Sequence, residues 1–163
     1  MRDGFWSSCN VNKRENKLKI ENTIKVMKEI NPHKIILVKV GTFYHAYGKD
    51  SYILSYLFGY QLKKIENNYS TCGFPVSAIN KISKNLEDYK ISYILLSKSN
   101  NYEEEAEEDF KNDNRYIEFY EKAKKYIVRK NRIEEIYRYL IENINDDEIK
   151  EKINKITEII YEI

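Results

Sequence analysis

The chain has 163 residues, 42% of them hydrophobic and 33% charged, which is enough apolar content for a packed core and too much for a disordered chain. No run approaches the ~18 to 20 apolar residues of a membrane-spanning helix, and the opening Met-Arg-Asp-Gly-Phe-Trp-Ser-Ser-Cys has no apolar stretch of the kind a secretory signal needs. Cys9 and Cys72 are the only cysteines; they make no disulfide framework and read most simply as free thiols of a cytoplasmic protein. The net charge of +2 hides a division: residues 1–101 hold 16 Lys and Arg against 8 Asp and Glu, a net +8, while residues 102–163 hold 12 against 18, a net −6. Such a split suggests two modules, the basic one either suited to a polyanion or merely solvated by its charges.

Residues 1–16 are polar and aperiodic and read as a flexible leader. Ile20, Ile24, Met27 and Ile30 fall at helical spacing, and Asn31-Pro32 ends that helix because a residue before proline avoids the α region. The run Ile35 to Val40 reads as a buried strand stopped at Gly41. Phe43 to Tyr47 follows as a second strand, with Gly41 permitting a tight turn or bulge between them. Asp50 or Ser51 is expected to cap a helix through Tyr52, Ile53, Tyr56 and Leu57 that stops at Gly59.

Tyr60 to Ile65 and Tyr69 to Gly73, joined at Glu66-Asn67-Asn68, predict a hairpin. After Phe74-Pro75, a helix carries Ala78, Ile79, Ile82 and Leu86 on one face and feeds a strand over Ile91 to Leu96. The order α-β-β-α-β-β-α-β predicts a mixed α/β (α+β) domain over 17–98, a mixed sheet flanked by helices.

Glu103 to Asp109 is an acidic run. Contiguous carboxylates repel one another rather than converge on a metal, so 99–111 reads as an acidic linker or first helical turn. From 112 to 163 apolar residues recur at helical spacing without Gly or Pro, and Asn145 or Asp146 can cap a last helix holding Ile149, Ile153, Ile156, Ile159 and Ile160. This predicts an all-helical C-terminal appendage.

Catalytic signatures are missing from the sequence. No glycine-rich phosphate loop occurs, so no nucleotide cofactor is implied and the chain is expected to act independently of ATP. His33 and His45 are the only histidines, and neither stands at a metal-ligand spacing from a cysteine or carboxylate. Asp50, Glu66, Glu87 and Asp88 are scattered through the basic part, which argues against a two-metal nuclease. The expectation is a protein without enzymatic activity, cofactor or metal.

Two segments stand out: Gly41-Thr42-Phe43-Tyr44-His45-Ala46-Tyr47-Gly48-Lys49-Asp50, and Cys72-Gly73-Phe74-Pro75-Val76-Ser77-Ala78-Ile79. In order and spacing, residues 17–98 resemble the N-terminal mismatch-recognition domain, domain I, of the MutS family of DNA mismatch-repair proteins. That family shows G-D-F-Y-E-x-F/Y-x-x-D-A and then a G-I/F-P-x-H-A-like turn into a helix. The resemblance implies that Phe43 occupies the position of the aromatic that wedges beside a mispaired base. An aromatic on a glycine-flanked corner suits entry into the minor groove at a weakened step. From the residues alone, Phe43 reads rather as core, the continuation of a buried strand; the resemblance reverses that reading.

The family's Glu is His45 here and its Asp is Thr42. A histidine donates or accepts but does not copy a carboxylate, so it fits general nucleic-acid contact better than mismatch discrimination; an exposed strand histidine without a role is the alternative. Tyr44 and Tyr47 can flank the wedge or pack as half-buried strand residues. Lys39, Lys49, Lys63, Lys64, Lys81 and Lys84 are candidate phosphate contacts or solvated charges.

The connector, clamp and ATPase domains of full-length mismatch-repair proteins do not fit in the rest of this chain. Small free-standing proteins resembling the domain accompany bacterial diversity-generating retroelements, where they are thought to assist a reverse transcriptase. The implied function is binding of distorted, mismatched or partly unpaired nucleic acid, DNA before RNA, as an accessory to a repair protein or polymerase. The helices of 112–163 would serve self-association or a protein partner. A protein–protein adaptor that kept the fold and lost nucleic-acid binding is the competing expectation.

Overall fold

A computed structural model of the chain describes residues 20–65, 69–98 and 101–162; the expected leader, 1–16, and the hairpin tip, 66–68, lie outside the described residues. The first helix, α1, covers 20–30 and ends before Pro32. It is followed by β1 (Ile35–Val40), β2 (Phe43–Tyr47), α2 (Lys49–Phe58), β3 (Lys63–Lys64) and β4 (Ser70–Pro75). A 3₁₀ turn over Val76–Ala78 leads into α3 (Ile79–Asp88), then β5 (Tyr93–Ser97) and β6 (Glu103–Glu108). Two helices, α4 (Asp113–Glu142) and α5 (Asp147–Tyr161), form the helical tail. The strands make one six-stranded sheet in the order β3-β4-β2-β1-β5-β6. Only β1 and β5 run parallel; every other neighbour is antiparallel, giving the expected mixed sheet.

Period-two alternation divides the sheet's residues between two faces. On one face Leu37, Tyr44, Phe74 and Leu95 pack with Ile53 and Leu54 of α2, Ile82 and Leu86 of α3, and Tyr116, Phe119 and Ala123 of α4. On the other, Ile36, Val38, Ile94 and Leu96 pack beneath Ile20 and Ile24 of α1. The chain divides into two compact units, 1–123 and 124–163. Helix α4 is therefore not wholly an appendage: its first turns supply core residues to the sheet domain.

Two expectations are corrected. The acidic segment read as a linker is β6, pairing antiparallel with β5 from Tyr93↔Glu108 to Ser97↔Glu103, with a bulge at Leu95/Leu96 that leaves Glu105 unpaired in the register. Five glutamates in six residues hide a strand because they offer no apolar alternation. Backbone pairing and lysines supply what the side chains do not: Lys34 bonds Glu107 and lies 2.8 Å from Asp109, and Lys39 lies 3.8 Å from Glu105. A charged outer strand also resists pairing with other sheets. Residues 20–123 hold 14 Lys and Arg against 15 Asp and Glu. The charge division is thus largely a polarity across one sheet, from Lys63-Lys64 at one edge to the glutamates at the other.

The second correction concerns Asp50. Gly48 (φ 54°) occupies the N-cap of α2, and no side chain caps that end. Asp50, 1% exposed, turns its carboxylate inward. Oδ2 accepts the Ile36 backbone N–H at 2.9 Å, while Oδ1 accepts Lys28 Nζ at 2.9 Å and the Tyr116 hydroxyl at 2.5 Å. One carboxylate thereby ties α1, β1, α2 and α4 together. Burial and the adjacent carboxylate push the Tyr116 hydroxyl far above its ordinary pKa. The tail's last helix has the expected cap: Asp146 accepts the N–H groups of Glu148 at 2.8 Å and Ile149 at 3.3 Å.

Candidate nucleic-acid interface

Strand β2 builds the site. Its turn from β1 is only two residues, Gly41-Thr42, because Val40 already pairs with Phe43. Gly41 takes φ +62° and Thr42 does not, the pattern of a II′ hairpin, which matches the strand twist. The Val76 N–H donates to the Thr42 carbonyl at 3.0 Å, fastening the hairpin tip to the β4–α3 junction. Phe43 leaves this fixed corner 44% exposed.

Phe43 is a ridge between two hollows. One, of about 470 Å³, is lined by Val40, Phe43, His45, Gln61, Lys63, Thr71, Cys72 and Gly73. The other, of about 390 Å³, is lined by Lys39, Gly41, Thr42, Phe43, Pro75, Val76 and Ser77. The alternation that exposes Phe43 puts His45 and Tyr47 on the same face. The Phe43 and His45 rings lie 6.3 Å apart, those of His45 and Tyr47 6.3 Å, and those of Tyr47 and Tyr69 6.5 Å. An aromatic row therefore runs along β2 and on to Tyr69, with an exposed ring at each end, Phe43 and Tyr69.

His45 lies across β4 opposite Gly73. A Cβ at Gly73 would stand 2.9 Å from His45 Nδ1, so the missing side chain is what lets the ring lie flat there. Burial first, and then the nearby Lys63 ammonium, lower the His45 pKa. The ring stays neutral near pH 7, with one nitrogen to donate and one to accept.

The structure gathers some of the sequence candidates and separates others. Phe43, His45 and Thr42 share the hairpin and its hollows. Tyr44 points the other way, 4% exposed and stacked on Phe74 at 5.8 Å. Its hydroxyl donates to Glu105 at 3.2 Å, and burial with that carboxylate pushes its pKa up to about 12. Tyr44 is a core residue, buried rather than flanking Phe43. Lys39 lines the second hollow but leans toward Glu105. Lys49 begins α2, beyond the far end of β2 from Phe43, with its ammonium 5.2 Å from the Tyr120 ring centroid.

Lys63 is the lysine that the fold brings beside His45, and Gln61 joins it in the hollow. Gln61 was missed by sequence reasoning, because nothing local marks a residue whose partners are 16 and 12 positions away at His45 and Gly73. Cys72 is buried and its thiol pKa is pushed up to about 12, which makes it a packing residue rather than a nucleophile. Among the described residues, no three His, Cys, Asp or Glu side chains converge as a metal site, and no helix is long and apolar enough to cross a membrane.

Comparison with curated proteins returns no match. The family model for MutS domain I matches residues 20–130, a span that runs past β6 and well into α4 and so takes in the strand and core helix that the motif resemblance alone did not reach. With more than two thirds of its length matched, and with the glycine-flanked aromatic corner and the inward aspartate of the family pattern both in place, this chain belongs to the MutS domain I family.

Proposed function

We propose that this mismatch-recognition-like domain is a non-enzymatic, ATP-independent accessory protein of the cytoplasm that binds distorted, mismatched or partly unpaired nucleic acid, DNA in preference to RNA. Phe43 is the wedge. The observation that carries this reading is its exposure on a corner braced by the Thr42–Val76 hydrogen bond, between two hollows of about 470 and 390 Å³. Stacking of an aromatic on an unpaired base contributes about 1–3 kcal/mol and is indifferent to base identity.

His45, neutral beside Phe43, offers a hydrogen bond to a base edge in place of the family's carboxylate. Lys63 and Lys64 supply phosphate contacts at the basic edge, while the glutamates of β6 set the side from which a phosphate backbone is excluded. The helices over 112–163 engage a second copy or a protein partner, such as a repair protein or a reverse transcriptase.

Anisotropy titrations with matched duplex, mismatched duplex, single-stranded DNA and structured RNA, each at two salt concentrations, test this. The expected result is tighter, salt-sensitive binding to a distorted probe, weakened at least tenfold by Phe43→Ala, about 1.4 kcal/mol. Equal binding by the variant on every probe would remove the wedge. A second reading, a protein–protein adaptor, draws support from the near balance of charge over residues 20–123 and from His45 and Thr42 standing where the family has carboxylates. It predicts no salt-dependent affinity for any probe.

A further inference from the structure

Strand register sets four side chains, Phe43, His45, Gln61 and Lys63, around a gap on one face of the sheet. His45 pairs with Gly73 across β2 and β4, and Thr71 pairs with Lys63 across β4 and β3. Gln61, two residues before Lys63, falls on the same side of the chain by strand alternation. It stands opposite Gly73 when the β3–β4 register is carried one step beyond Lys63. No side chain of β4 therefore separates His45 from Gln61, and the gap is the side chain that Gly73 lacks. These residues line the hollow of about 470 Å³ beside Phe43, a volume within the range of small-ligand sites, about 300–1,000 Å³.

Each part of a nucleotide has a counterpart on this rim. The exposed Phe43 ring offers a flat apolar face to a base. Gln61 and the neutral His45 each offer a donor and an acceptor, and neither side chain is hydrogen-bonded among the described residues. Thr71 does not compete with them, because its hydroxyl donates to the Ala46 carbonyl at 2.9 Å. Lys63 is exposed, has no carboxylate within salt-bridge reach among the described residues, and stands close enough to His45 to act on its charge. The hollow on the other side of Phe43 lacks this set: it has no amide or imidazole side chain, and its Lys39 lies 3.8 Å from Glu105.

We propose that this hollow is a pocket for one unpaired nucleotide, with Phe43 stacked on its base, Gln61 and His45 on the base's edge and Lys63 on its phosphate. The proposal rests on the wedge reading and narrows it, from distorted nucleic acid in general to a strand carrying an extrahelical nucleotide. Leaving the helix costs a base least where no partner holds it, so a bulged nucleotide enters more readily than one of a mispair. The donor and acceptor of the Gln61 amide lie side by side and match N6 and N7 of adenine, which makes an unpaired adenosine the best-fitting occupant.

Three duplexes test this: one with a single unpaired adenosine, one with that adenosine mispaired, and one fully matched. Anisotropy titrations should show the full chain binding the unpaired adenosine about fivefold or more tighter than the mispair. Gln61→Leu, which keeps the bulk and removes both hydrogen-bonding groups, should abolish that preference and leave the mispaired duplex bound as before. Lys63→Gln should weaken the unpaired probe several-fold and lower its salt slope by about one. Both positions are exposed, and unchanged urea midpoints should show that the variants fold. Equal affinity of the parent chain for the unpaired and mispaired probes, or Gln61→Leu and Lys63→Gln chains that bind like the parent, would overturn the pocket. If Phe43→Ala weakened both distorted probes in that case, the wedge would stand without it. A preference lost in Gln61→Leu but untouched by Phe43→Ala would instead remove the wedge and keep the edge contacts, and no binding to any probe would overturn both.

Discussion

The two faces of the sheet draw on the same strands and put them to different use. On the closed face Tyr44, Ala46, Cys72 and Phe74 meet three helices and are buried to within a few per cent. On the other face α1 packs over β1 and β5, with Tyr47 partly buried against that cluster; His45 and Thr71 are half-buried, and Phe43 is the exposed residue of β2. Neighbouring residues of one five-residue strand therefore belong to separate energetic classes. Stability and recognition are divided by parity along β2, so substitutions one position apart should have unrelated consequences.

The largest expected effect tests the closed face. Asp50→Ala leaves Lys28 and the Ile36 N–H without their buried acceptor and should cost about 3–5 kcal/mol, the usual result of orphaning one partner of a buried ion pair. Urea unfolding reads this directly; a loss under about 1 kcal/mol would mean that water replaces the carboxylate there. Phe74→Ala should follow closely, at about 3–5 kcal/mol, from lost burial and the cavity left behind. Phe43→Ala is the sharper half of that comparison. It should change unfolding by less than about 1 kcal/mol while weakening a distorted probe, and equal destabilisation by the two phenylalanines would dissolve the distinction between faces.

A subtler probe is Gly73→Ala, whose methyl meets the His45 ring. It should displace the imidazole and reduce binding several-fold with little change in the Phe43 contact, readable as a shifted His45 ring resonance; an unmoved resonance would break the link. The smallest effect is in pH. Burial and Lys63 hold His45 below its ordinary 6.5, so the unfolded chain takes up the proton first. The stability of the neutral ring is present above that value and declines as pH falls through the folded pKa. Urea midpoints at about pH 7.5 and 5.5 should differ less in His45→Gln than in the parent chain; an equal difference would place the acid sensitivity elsewhere.

The sequence makes most of the sheet domain legible because its signals are local. Pro32 ends α1, Gly41 turns β1 into β2, and Gly59 (φ 73°) closes α2, as expected from neighbours alone. What escapes is set by residues far apart. Nothing near Asp50 reports that Lys28 and Tyr116 converge on it, so its helix-start position reads as a cap. Nothing within Glu103–Glu108 reports that Lys34 and Lys39 wait beside it, so a strand reads as a linker. In the site, motif order points to Phe43 and His45, but Lys63 and Gln61 arrive by a hairpin whose register only the fold supplies, and Tyr44 leaves by the alternation of β2.

The acidic outer strand sets where this protein can be cut. A chain ended at residue 101, at the apparent boundary between a basic domain and an acidic linker, would keep every motif and lose β6 together with Tyr116, Phe119 and Ala123. That would strip the sheet's guard and bare β5, whose five residues Tyr93–Ser97 are all buried, as a flat apolar edge ready to pair with any exposed strand. Such a fragment should express into inclusion bodies, whereas one carried on to residue 123 keeps its border of glutamates and the helix that seals the closed face.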